Sequence, residues 1–369
     1  MQNLAEENLV QVGKAQRWGW PMVTGRGQEK RRERRRLNSR FPVLVGDIGG
    51  TNARFALAGG AASPVQAIAP IRIDQFAAIE DAIDHVVVSS GVAAPNSMML
   101  AIATPLVGDR FRLTNAPWII DPAQLRKRFG LQEVVLMNDF AAQGLAALAL
   151  GPDDLVRIGG DEVVDGHPKV VIGPGTGLGI AQIINVGGKW AVIPGEGGHI
   201  DLGPRSAREM AIWHFLKKED GRMSAENALS GRGLENLYQA ICRLEGDRVE
   251  AWDASDISHR GLKDSDVHAR EAVELFLTLL ARIAGDMALL SLAYGGIYVA
   301  GGIAAKMLPG IVKPAFRAEF EDKAPHSAIM KAIPLHVMTH PTAALEGLAA
   351  CVREPERFSL EGATLRFDS

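Results

Sequence analysis

Two separated stretches of this chain open on the same plan, and that repetition limits the fold more than any other feature. Phe41-Pro42-Val43-Leu44-Val45 is a short apolar run that ends at Gly46-Asp47-Ile48-Gly49-Gly50-Thr51-Asn52, after which Ala53–Ala58 alternates in character. Val170-Val171-Ile172 runs into Gly173-Pro174-Gly175-Thr176-Gly177, and Leu178–Ile184 resumes an apolar pattern. Apolar runs bounded by glycine predict buried strands, and a glycine-rich turn between two of them predicts a hairpin. The same strand–turn–strand unit at the head of each half points to an internal duplication.

The remaining pattern alternates. Strands are expected at Met98–Ala103, Val134–Met137 and Ile297–Ala300. Helices are expected over Phe76–Ser89, Phe140–Leu150, Ala207–Lys218, Gly233–Leu244, about Arg270–Leu292 and Pro341–Val352. Strands and helices in turn argue for an α/β architecture of two lobes. With 47% hydrophobic and 22% charged residues the chain is neither disordered nor fibrous. Its 40 glycines in 369 residues, about 11% against a usual ~7%, follow no collagen period and so belong to turns or ligand loops. Cys242 and Cys351 are too few for a disulfide framework or a four-thiolate metal site. No apolar run approaches the ~18 residues of a membrane helix, and no signal-peptide segment is visible. A protein of a reducing cytoplasm, with no membrane partner, is the expectation.

The first glycine loop is not a dinucleotide fingerprint, because that turn must open a helix and this one runs into a strand. No Walker lysine is present either. A glycine hairpin nevertheless allows close backbone approach and offers several N–H donors, which suits a phosphate chain. Gly175-Thr176-Gly177-Leu178-Gly179 is a second such hairpin with a hydroxyl, and Gly301-Gly302 after a strand is a third point of approach. Asp47 would repel phosphates unless a divalent cation such as magnesium lies between them. The alternative is an aspartate that caps its own turn.

Asn138-Asp139 closes a predicted buried strand, where open α/β sheets place ligands. Asp139 there is either functional or a helix N-cap. In Gly195-Glu196-Gly197-Gly198-His199 an acid and an imidazole stand apart without metal-ligand spacing, and both could contact polyol hydroxyls. Glu226 reads on its own as a first-turn helix acid favoured by the helix dipole.

These blocks carry a resemblance. Gly46–Arg54, Asn138-Asp139-Phe140, Gly175–Gly179, Gly195–His199, Glu226 with Leu229-Ser230-Gly231, and Ala300-Gly301-Gly302-Ile303 together resemble the proteobacterial type of bacterial glucokinase, over about residues 41–352. The resemblance implies the two-lobed hexokinase–actin–Hsp70 ATPase fold. It implies a small α/β domain of residues 41–149 plus 342–369 and a large one of 150–341. The implied reaction turns ATP and D-glucose into ADP and glucose 6-phosphate, with Mg2+ as cofactor and a homodimer as the assembly. Asp139 would be the general base on the 6-hydroxyl, with Asn138, Glu196, His199 and Glu226 on the other hydroxyls. Gly46, Asp47, Ile48, Gly49, Gly50 and Thr51 would form the first phosphate hairpin, with Asp47 near the metal. Gly175, Thr176 and Gly177 would take the β/γ-phosphate side, and Gly301 and Gly302 the adenosine. A related sugar-kinase family that includes repressors carries a cysteine-rich zinc motif after its Glu-x-x-His segment. Here Ile200-Asp201-Leu202-Gly203-Pro204 follows, which resembles the zinc-free branch.

Charge is unevenly distributed. Residues 1–40 hold ten Lys/Arg and four Glu, so a net +6 sits there against −3 for the whole chain, leaving −9 on residues 41–369. The cluster Lys30–Arg36 could meet nucleic acid or an anionic surface, but nothing downstream continues a basic footprint. The expectation is a solvated extension outside the fold and no nucleic-acid partner. Deletion of residues 1–40 should therefore leave the melting temperature and catalytic rate nearly unchanged. A large fall in either, by calorimetry or assay, would show that the extension docks on the body.

Overall fold

A computed structural model describes residues 40–104, 106–113, 116–218 and 221–368. The basic extension lies outside these residues apart from Arg40, whose guanidinium is 3.4 Å from Glu133. In chain order the strands of the first half are β1 Val43–Ile48, β2 Asn52–Ala58, β3 Val65–Ala67, β4 Ile71–Arg72, β5 Ser97–Ile102, β6 Phe111–Arg112, β7 Ile119–Ile120 and β8 Glu133–Asn138. Those of the second are β9 Leu155–Gly159, β10 Lys169–Pro174, β11 Leu178–Val186, β12 Lys189–Gly195, β13 Ile297–Val299, β14 Leu335–Met338, β15 Phe358–Ser359 and β16 Thr364–Asp368.

The duplication is visible in the topology. One sheet runs β16-β8-β5-β1-β2-β3, with β4 on β2, and the other runs β15-β12-β11-β10-β13-β14-β9. In the first, β1 is antiparallel to β2 and parallel to β5, which is parallel to β8. In the second, β10 is antiparallel to β11 and parallel to β13, which is parallel to β14. Each half is thus an antiparallel hairpin flanked by two parallel strands. The C-terminal segment serves both sheets, β15 pairing with β12 and β16 with β8.

Strand alternation divides the side chains among three cores. Leu44 and Ile48 of β1 face outward onto the helix Ile79–Ser90 with Phe55, Leu100 and Leu136. Val43 and Val45 face inward, where they meet Val171, Ala181 and Ile183 of the other sheet. The outer face of the second sheet carries Val170 and Ile172, covered by the helices Gly231–Glu245 and Val267–Ser291.

Two helices fill the layer between the sheets, Asp139–Ala149 and Ala343–Arg353. Their sequences, DFAAQGLAALA and AALEGLAACVR, are rich in alanine and glycine at the buried positions. Small side chains there let two backbones and two sheets share one layer. A Cβ built on Gly144 would lie 2.8 Å from Val192 Cγ1. One built on Gly347 would lie 2.5 Å from both the carbonyl oxygen of Ala142 and the amide nitrogen of Ala146. Glycine to alanine inside an exposed helix normally adds about 1 kcal/mol of stability. Here the new methyl meets backbone that cannot rotate away, so the sign reverses. Gly347→Ala should lower stability by about 2 kcal/mol, read as a fall of ~4 °C or more in thermal denaturation. An unchanged or raised melting temperature would refute this close crossing.

Candidate active site

The parallel strands bring their C-terminal ends to one edge, where Ile48, Ile102 and Asn138 stand in register. Asp47 follows Val43 and Val45 on the inward face of β1 and therefore looks into the layer between the sheets. Its cross-strand partner is Arg54 of β2, whose Nη1 lies 3.3 Å from Asp47 Oδ2. Burial pushes the Asp47 carboxyl above the ordinary range, and the guanidinium of Arg54 pulls it back down.

Asp139 begins the helix that leaves β8. Asn138, not Asp139, is the N-cap: its Oδ1 accepts from the Phe140 amide at 2.9 Å and from the Ala141 amide at 3.3 Å. That relieves Asp139 of the capping role it could have filled. Burial raises the Asp139 carboxyl to about 6, with the negative charge of Asp47 adding to the effect and that of Glu196 contributing less. The amides of Phe140 and of Asp139 itself oppose the rise, the Phe140 amide donating to Asp139 Oδ1 at 2.9 Å. Asp139, Asp47 and Glu196 therefore share one electrostatic neighbourhood.

The two hairpin tips resemble one another in detail. Gly49 donates its N–H to Asn52 at 3.1 Å, and Gly175 donates to Gly177 at 2.7 Å. The amides of Gly50 and Thr51 in the first tip, and of Thr176 and Gly177 in the second, take no protein partner among the described residues. Each tip thus presents two backbone donors. Gly46 does something else. It is buried within β1, and a Cβ there would fall 2.8 Å from Leu100 Cδ2, so packing demands the glycine. Ile48 is a fully buried core side chain. Gly301 adopts φ 92° beside the second hairpin, its absent Cβ only 2.9 Å from the Pro174 carbonyl oxygen.

Phe140 joins Asp139 to the second hairpin. A Cβ on Gly179 would lie 1.8 Å from Phe140 Cδ2, and one on Gly173 would lie 3.0 Å from Phe140 Cζ. The turn that follows β12 places Glu196 and His199 near each other, with Nε2 3.8 Å from Oε2 and both side chains exposed. Gly198 in that turn sits against the Leu178 carbonyl, 2.1 Å from where its Cβ would be. Glu226 is not in a helix, since the nearest one starts at Gly231. Its Oε2 accepts the Leu178 amide at 2.8 Å, so the carboxylate packs on the second hairpin. Spacing along the chain missed Arg54 and Phe140. Arg54 was legible as the cross-strand partner of Asp47 around a tight hairpin, while Phe140 carried no signal apart from its neighbour.

Among the described residues no group of three His, Cys, Asp or Glu could hold a metal ion, and no helix is long and apolar enough to cross a membrane. Cys242 and Cys351 are buried in different cores.

The Glucokinase family model matches residues 44–355. The chain belongs to the glucokinase family. The glucokinase of Rhizobium meliloti (strain 1021) is 48% identical over 320 residues, which span 87% of this chain and 94% of that protein. The crystal structure of a glucokinase from an Antarctic psychrotroph superimposes with a TM-score of 0.75 at 30% identity, covering 85% of this chain and 98% of that one. A ROK family glucokinase from Streptomyces griseus, solved in complex with glucose and AMPPNP, shares the fold with a TM-score of 0.59 at 19% identity, over 85% and 99% of the two chains. The glucokinase family thus has its two-lobed fold here with both glycine hairpins intact.

The raised affinity of Asp139 for a proton has a consequence for stability. Below about pH 3, well under the ordinary carboxylate value of 3.8, the group is protonated in both folded and unfolded chains and costs nothing. Above about pH 6 the folded chain holds an anion that its surroundings disfavour, and the cost is fully expressed. Asp139→Asn should therefore leave the melting temperature unchanged near pH 3 and, at pH 8, raise stability by about 1–2 kcal/mol after allowance for partial solvent screening, read as a higher melting temperature. A variant less stable than wild type at pH 8 would contradict the burial of this charge.

Proposed function

We infer that the chain transfers the terminal phosphoryl group of ATP to the 6-hydroxyl of D-glucose, releasing ADP. The observation that carries this is the Asp139 carboxylate, with its proton affinity raised to about 6, joined through Phe140 to a glycine hairpin that presents two backbone donors. Phosphoryl transfer requires positioning and charge neutralisation more than covalent chemistry. Donors from Gly50, Thr51, Thr176 and Gly177 would cradle the phosphates, and Gly301-Gly302 would lie along the nucleoside. Asp139 would hold the 6-hydroxyl and accept its proton as the phosphorus–oxygen bond forms. An affinity near 6 leaves it ionised at neutral pH yet a better base than a solvated carboxylate.

Asn138 spends its amide oxygen on the helix cap, which leaves Nδ2 as the donor it offers the sugar. Glu196 and His199, exposed and adjacent, are suited to the hydroxyls at the far edge of the ring. Asp47 fits Mg2+ as a single carboxylate on an ion that draws its other ligands from phosphate and water, and the ion would neutralise charge on the nucleotide. Arg54, paired with Asp47, keeps that carboxylate oriented. The homodimer rests on the family resemblance, the magnesium ion on that resemblance and on the place of Asp47 beside the first hairpin, and the cytoplasmic location on a chain whose two cysteines are both free.

A coupled ADP-release assay with glucose, mannose, galactose and N-acetylglucosamine tests the assignment. Glucose should have the highest kcat/KM, because polar groups that a bound sugar covers and leaves without a hydroxyl partner cost ~1–3 kcal/mol each. Asp139→Asn should keep glucose affinity and lose ~10²–10⁴-fold in kcat. Better use of the N-acetyl sugar would point to another hexose kinase of the same fold. Glucose binding without turnover would point to a sensor.

A further inference from the structure

Glu226 occupies a junction. Its Oε2 accepts the Leu178 amide at 2.8 Å, immediately after the donor pair of the second hairpin. The carboxylate lies so close beneath the tip that a Cβ on Gly177 would fall 2.3 Å from Oε2. Its main-chain amide donates to Gly198 of the sugar-side turn at 2.8 Å. Its carbonyl accepts from Ser230 Oγ at 2.9 Å, and the same Oγ caps the helix Gly231–Glu245 through the Gly233 amide at 2.9 Å. The first residue of that helix, Gly231, donates its N–H to the Gly175 carbonyl at 2.9 Å. The hairpin is thus gripped at both shoulders, Gly175 by Gly231 and Leu178 by Glu226, and Ser230 ties the two grips together.

We propose that Glu226 is a positioning residue for nucleotide, holding the second hairpin so that the Thr176 and Gly177 amides point at phosphate. Glycine gives this tip its approach to the ligand and also leaves it free to collapse. A carboxylate behind it fixes one shoulder without occupying the two donors in front. Oε1 takes no partner among the described residues and remains open to a sugar hydroxyl. One side chain thereby spans the two substrate subsites, a link that rests on the glucose assignment above. The brace itself does not depend on the identity of the sugar.

Two substitutions separate reach from charge. Glu226→Asp keeps the charge but draws the carboxylate back by one methylene from the Leu178 amide. Glu226→Gln keeps the reach and an oxygen acceptor but loses the charge. AMPPNP affinity measured calorimetrically with no sugar present should weaken at least about fivefold in Glu226→Asp and stay within about twofold in Glu226→Gln. Unchanged affinity in both variants, or a loss in Glu226→Gln alone, overturns the proposal. Hydrogen exchange on the native protein is a second measure that requires no variant. The Leu178 amide should exchange slowly while those of Thr176 and Gly177 exchange fast, and rapid exchange at Leu178 overturns the brace. All these readouts omit glucose, so their failure is distinct from failure of the glucose assay.

Discussion

The contact on which the site depends is between one aromatic ring and two missing side chains. Phe140 lies against Gly173 and Gly179, at a range where any Cβ would collide with it. Because Phe140 follows Asp139 in the same helical turn, the ring fixes the separation of Asp139 from the second hairpin. The helix is held in its turn by Asn138 at its N-terminus and by glycine contacts along its body, with β12 at Gly144 and with the partner helix at Gly347. Interiors are close-packed and transmit small displacements, so an alteration of the helix layer is felt at Asp139. Alanine and glycine in these two helices are the condition for that stiffness.

Electrostatics works against packing at the same place. Buried Asp139 feels the negative charge of Asp47 and, more weakly, of Glu196, and among the described residues Arg54 is the cationic side chain within hydrogen-bond reach of this group, on Asp47. Stability would favour fewer charges here. An anionic ligand would satisfy the hairpin amides that have no protein partner among the described residues, but it would add to the repulsion among these carboxylates unless a cation came with it. The exposure of Glu196 and His199 belongs to the same economy, since a polyol covering them would replace water hydroxyl for hydroxyl.

Much of this was legible from the amino-acid sequence because it depends on local spacing. Glycine runs between apolar runs identify both hairpins, and the repetition of that unit identifies the duplication seen in the two sheets. Asn138-Asp139 at the end of a buried strand marks the edge where the parallel strands bring their C-terminal ends together. What spacing does not reveal is direction. Glu226 reads on its own as a helix-dipole acid, yet one of its carboxylate oxygens turns to the Leu178 amide, because the turn from Ser224 to Ser230 precedes the helix and folds back on Gly198. Gly46 reads as a phosphate-loop glycine, yet it is a packing position set by Leu100 and Phe55, one of which comes from a distant strand. The ring of Phe140 is equally silent in one dimension, since the glycines that admit it belong to the other sheet.

The duplication explains why the two hairpins could diverge without losing their common geometry. In the first copy the pair Asp47 and Arg54 lies one step before the pair nearest the tip, Ile48 and Ala53. In the second copy the same step is occupied by Gly173 and Gly179, just before Pro174 and Leu178. Both pairs face the layer between the sheets. One copy has filled that position with an ion pair, and the other has emptied it to receive Phe140. Asp139, attached to Phe140, is thereby seated by packing from one hairpin and influenced by charge from the other. Neither contribution could be exchanged, because a ring cannot enter where Arg54 stands and a carboxylate at Gly173 would meet the Ala300 carbonyl oxygen, 2.5 Å from its Cβ. The symmetric scaffold supplies two equivalent cradles, and the asymmetry of this single cross-strand pair decides which of them carries the support of Asp139 and which carries the charge.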